Sequence, residues 1–217
     1  MFSQTQGCEM SSIEQKHISE AEIHKFIELI GLKRAAPRRY SALLVANLLG
    51  GALSGMQNPA KIIHEIELLE RGELGRFKKP IRNKHPPLRG LWHKHYMQDG
   101  LASMAQNIQK GLNWFDIPLF KQMIQDAENA GEERFVEPHH IPALAADIVG
   151  GNWQRLAERQ ALSGEWIVFA KHEGLNYYLT IATHNSDTHQ HVREQIEQVC
   201  CVEFPFLSRL LADAEKA

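Results

Sequence analysis

The stretch from Gly164 to Thr183 constrains the fold of this chain more than any other. It is rich in β-branched and aromatic residues, which suit a pleated, half-buried surface. Glu173-Gly174 sits at its middle, in the manner of the Asp-Gly pair that closes a tight hairpin. With that turn, His172 opposes Leu175 and successive side chains alternate between two faces. Trp166, Val168, Ala170 and His172 then share a face with Leu175, Tyr177, Leu179 and Ile181. That face is nearly all apolar and is the expected core face. The other carries Glu165, Ile167, Phe169 and Lys171 with Asn176, Tyr178, Thr180 and Ala182, and His184 lies just beyond. Its few polar groups on an apolar floor suit a substrate surface. A two-stranded ribbon is marginal alone. It needs helices or a third strand, for which residues 134–136 and 88–96 are the candidates.

Most of the remaining chain reads as helix. Ser19 and Glu22 form a capping box that opens a helix over 21–30, stopped at Gly31. A basic linker covers 33–39, and a helix of small residues covers 40–49, ended by Gly50-Gly51. Asn58-Pro59 starts a helix that carries Ile62, Ile63, Ile66 and Leu69 on one face and ends at Gly72. The next stretch, to Pro87, has three prolines, many cations and little periodicity, so it reads as an irregular arm. Further helices are expected over 92–110, 116–130, 138–149, 152–162, 187–202 and 206–214. The sum is an α+β fold, predominantly helical, with a β-hairpin of the C-terminal half packed on helices. The domain reading is a tail over 1–18 and one globular domain over 19–217, with a helical subdomain at 19–72 and a basic arm at 73–96.

Several function classes are disfavoured. Residues 1–20 lack the apolar core of a secretory signal. The most apolar run, 40–56, is broken by Asn47, Gly50, Gly51 and Gly55 and is too short to span a bilayer. Three cysteines, Cys8, Cys200 and Cys201, make no disulfide framework and no C-x-x-C pair. These features fit a cytoplasmic protein with reduced thiols and no membrane partner. No phosphate-binding P-loop, dinucleotide glycine motif or serine-hydrolase elbow occurs.

The net charge of −2 hides an asymmetry. Residues 1–110 carry 16 Lys and Arg against 10 Asp and Glu, whereas residues 111–217 carry 8 against 16. The excess is densest between Arg71 and His95, where eight cations face the single acid Glu73 and are interleaved with Trp92 and Tyr96. Clustered cations attract phosphates, and aromatics between them can stack on bases. Of the 12 histidines, His85, His93 and His95 fall in this arm.

Together these residues point to a metal-independent nuclease acting on RNA rather than DNA, of a toxin or defence type, with no cofactor. His93 and His95 are the expected general base and acid, supported by Lys171, Tyr178 and His184. Arg82, Lys84, His85, Arg89 and Lys94 are the expected phosphate contacts. The alternative is a non-enzymatic module binding nucleic acid or an acidic protein, with a homo-oligomer formed by its oppositely charged halves also open. A third reading is a metal-dependent hydrolase. For it, His184, Asp187, His189 and His191 are the candidate ligands, with His93-x-His95 and His139-His140 further pairs.

Overall fold

The computed structural model describes residues 18–73, 75–97 and 100–216. The tail expected over 1–18 therefore lies outside the described residues, apart from Ile18. The fold is α+β, as the hairpin and the helical patterns require.

Local signals set most helix ends. Helix α1 (Glu20–Leu29) opens on the Ser19–Glu22 capping box. A single turn, α2 (Leu32–Ala35), occupies the basic linker. Helix α3 (Ala42–Leu53) is capped by the Ser41 hydroxyl and runs through Gly50-Gly51, the expected stop, to close at Ser54. Two glycines cost such a helix only about 1 kcal/mol each, less than its packed face returns. Helix α4 (Pro59–Arg71) starts at Asn58 and ends where Gly72 adopts φ 67°.

The largest departure from expectation is at Trp92. Strands β1 (Ile81–Arg82) and β2 (Trp92–Tyr96) stand where an arm and the start of a helix were expected. The helix begins only at α5 (Leu101–Phe115). It passes through Gly111, because a Cβ there would come within 2.6 Å of Asn152 Cβ. That glycine permits close helix packing and does not end the helix. Helices α6 (Pro118–Ala130), α7 (Ile141–Ala146) and α8 (Asn152–Glu158) follow, the last two joined by a π-helical turn.

Strands β3 (Glu165–His172) and β4 (Leu175–Ala182) are the expected hairpin, with Glu173 at φ 50° and Gly174 at φ 78° in the turn. Helices α9 (His189–Gln195), α10 (Cys201–Glu203) and α11 (Phe206–Lys216) complete the chain. No helix among the described residues is long and apolar enough to cross a membrane. Cys200 is buried, and burial pushes its thiol up to about 12.

The sheet is antiparallel in the order β1-β2-β3-β4. Of the two candidate third strands, 88–96 supplies it and 134–136 does not. Pairing overrides helical preference at β2 because the outer edge of β3 would otherwise leave its N–H and C=O groups unpaired. The hairpin keeps the expected register from His172↔Leu175 to Phe169↔Tyr178, then slips by one at a bulge, so that Val168 meets Thr180. The slip exchanges faces beyond Leu179: Leu179 keeps its expected place with Val168 and Ala170, Ala182 joins them, and Ile181 packs on the other core.

Neither face of the hairpin is open. Ile167, Phe169 and Tyr178, expected on a substrate surface, are buried beneath Ile27, Leu44, Leu48, Ile62 and Ile66 of the N-terminal helices. Val168, Ala170 and Leu179 are buried beneath Val192, Ile196, Leu207 and Leu211. The sheet is a middle layer between helices, and any site must lie at its ends or edges.

Candidate acid-base site

The β2–β3 register builds a histidine cluster at one end of the sheet. His95 lies opposite Trp166 and His93 opposite Val168, so both imidazoles share the indole's face. His93 stacks on Trp166 with ring centres 4.0 Å apart and planes at 16°. His95 lies 5.1 Å from His93 and 5.1 Å from His184, centre to centre. His184 and His189 contact the same indole at 5.1 and 4.8 Å. Four histidines therefore surround one tryptophan.

Each has a defined anchor or exposure. His93 Nδ1 donates to Asn83 Oδ1 at 2.7 Å, which leaves Nε2 as the lone-pair nitrogen of the neutral ring. His189 is buried and donates from Nε2 to the Thr183 carbonyl at 2.9 Å. His184 is exposed, and its backbone N–H donates to Glu165 Oε2. His93 and His95 are 5% and 2% exposed. Burial pushes His93 down to about 4, reinforced by His184, Lys78 and His189. Burial likewise pushes His95 down to about 3, reinforced by His93, Lys78 and His184. Both rings are thus neutral at neutral pH, and the Lys78 charge reaches both.

Three nitrogens here have no hydrogen-bond partner among the described residues: His95 Nδ1, Asn83 Nδ2 and Trp166 Nε1. Each orphan costs on the order of 1–3 kcal/mol, and orphans gathered in one cluster suit a ligand or an internal water.

Asn83 also connects the cluster to the basic arm. With Arg82, Lys84, Arg89 and Gly90 it lines a cleft of about 270 Å³ beside Ala214. Arg82 and Lys84 are exposed there, and Arg89 Nε donates to the Lys84 carbonyl. His85 is exposed on the same loop.

The structure brings together His93, His95 and His184 but not the other expected groups. Lys94 points to the opposite face of β2, 3% exposed and 3.2 Å from Glu65 Oε2. A strand cannot place three consecutive residues on one side. Lys171 is exposed near the hairpin turn with its ammonium 4.2 Å above the Trp92 ring. Tyr178 is fully buried and donates to Glu70 Oε1 at 2.7 Å, beside Arg39 and Asn176, which bond the same carboxylate. Its phenol is held above its ordinary pKa by burial and by Glu70. Trp166, Asn83 and Lys78 belong to the cluster without having been expected there. Only the pairing of β2 with β3 would have revealed Trp166.

The metal-ligand reading does not gain a converging donor set. His189 is buried against Trp166 while His191 is exposed, and among the described residues no three of His, Cys, Asp and Glu stand as a metal site. Comparison of the chain with protein-family models, with curated proteins and with solved structures finds no match in any of the three.

Proposed function

We propose that the chain cleaves RNA at the His95–His184 end of the sheet, with the backbone held by the adjoining cationic cleft. The observation that carries this reading is Asn83, which lines the Arg82/Lys84/Arg89 cleft and bonds His93. Phosphate-binding cations and imidazoles that exchange protons are thereby one residue apart. His184, the exposed member, takes the 2′-hydroxyl proton as O2′ attacks phosphorus. The P–O5′ bond breaks as the 2′,3′-cyclic phosphate forms, and O5′ receives the proton that His184 took from O2′, handed on through His95. Neutral His95, its ring centre 5.1 Å from that of His184, serves as the second proton site. Lys78 and the cleft cations offset charge on the phosphorane.

The test is cleavage of matched RNA and DNA oligonucleotides in EDTA. RNA yields cyclic-phosphate ends and DNA survives, because it lacks the nucleophile. Cleavage of both alike would overturn the mechanism.

A second reading, a binding module without catalysis, draws on the burial of His93 and His95 against the open placement of Arg82 and Lys84. It predicts salt-sensitive RNA binding that Arg82→Glu/Lys84→Glu abolishes and His184→Ala leaves intact, with no product formed.

A further inference from the structure

On the other face of β2 from the histidines lies a cavity of about 780 Å³, the size of small-molecule sites. Helix α4 forms one wall, the 75–77 segment and Met97 a second, and Trp153 and Ala157 of α8 a third. Phe77, Trp153, Met97 and Leu162 make the lining largely apolar. Lys61, His64, Arg76, Glu158 and Gln160 also line it, but they are half-buried or exposed, and Glu65 is the buried polar group of the lining. It is 4% exposed, yet it lines this cavity. Its Oε2 lies 3.2 Å from Lys94 Nζ and has no other donor among the described residues. Lys94 directs its own donors to the Lys78 and Phe77 carbonyls, at 3.0 and 3.5 Å. A buried carboxylate whose one donor is shared with two carbonyls is under-satisfied and can accept a further N–H. Burial accordingly raises the Glu65 pKa despite the neighbouring ammonium.

We propose that this cavity binds a small, flat, neutral heteroaromatic molecule that donates an N–H to Glu65. The flat body follows from Trp153 and Phe77, which favour aromatic contact. The donor follows from the carboxylate oxygen, which can only accept. Neutrality follows from Lys94: Glu65 is already balanced, so a charged ligand would add an uncompensated charge beside a buried pair. The site is independent of RNA cleavage, since the sheet separates it from His93 and His95.

The test is calorimetric titration of the full chain with indole and with 1-methylindole, which has the same shape and lacks the donor. Indole binds, at least about tenfold tighter than 1-methylindole. Ala157→Trp, which fills the cavity without touching the ion pair, abolishes binding of both. In Glu65→Leu/Lys94→Met, which removes the acceptor together with its counter-ion, the two ligands bind to within about twofold of each other. Circular dichroism checks that each variant folds. The proposal is overturned if neither ligand binds the wild-type chain, if the two bind it equally, or if folded Ala157→Trp binds indole unchanged.

Discussion

The imidazole of His93 lies flat on the indole of Trp166, 4.0 Å between ring centres, across the β2–β3 boundary. That stack organises the candidate site, because His95, His184 and His189 contact the same indole.

Trp166→Ala should therefore disturb protonation more than fold. Trp166 is only half-buried, so the expected stability loss is about 2–3 kcal/mol, below that of a core tryptophan. Water then reaches His93 and His95, and both titrate closer to 6.5 than to their depressed values of about 4 and about 3. NMR titration of the imidazole protons measures this. Unchanged titration in the folded variant would show that the indole does not shield them.

Acid sensitivity follows from the same burial. The unfolded chain protonates His93 and His95 near 6.5, whereas the folded chain resists until about 4 and about 3. Between these limits the unfolded state binds more protons, so stability falls as pH falls through that window and is level above it. Urea midpoints at pH 7 and pH 5 should show the loss in the wild-type chain and a smaller loss in His95→Leu. An equal loss in both would contradict the assignment.

Much of the fold was legible because its signals are local. The Ser19–Glu22 box, Asn58-Pro59, Gly72 and Glu173-Gly174 each act within four residues, and each marks the boundary it announces. The β2 strand was harder to read because its partner, Trp166 to Phe169, lies some seventy residues on, and no nearby residue reports that pairing. The slip between Val168 and Phe169 has no glycine to announce it. In the site, His93, His95 and His184 were legible as residue types. Lys94 was misplaced because a helix was expected over 92–110; strand alternation sends it to Glu65. Tyr178 and Lys171 were misplaced because a mixed face looked open, and only the helices packed on it show otherwise.

Tyr178→Phe separates structure from catalysis. It deprives Glu70 of one of its three side-chain partners in a buried network and should cost about 1–2 kcal/mol. RNA cleavage at a temperature where the variant is folded should equal that of the wild-type chain. A loss of rate without a loss of stability would return Tyr178 to the site.

The Glu65–Lys94 pair should behave as a unit. Lys94→Met alone strands a buried carboxylate and should cost about 3–5 kcal/mol, while Glu65→Gln/Lys94→Met should recover most of that. Chemical denaturation of the singles and the double gives the coupling. Additive losses would mean that the two side chains do not interact in solution.

The central claim is that His184 and His95 exchange protons with RNA. Its most direct measurement is the single-turnover cleavage rate of a 5′-labelled RNA in EDTA by the wild-type chain, His184→Ala, His95→Ala and the control His139→Ala. The wild-type chain and His139→Ala should cleave at equal rates. Folded His184→Ala and His95→Ala should each lose about 100-fold or more. Absence of cleavage by the wild-type chain, or cleavage by His184→Ala at the wild-type rate, would contradict the claim.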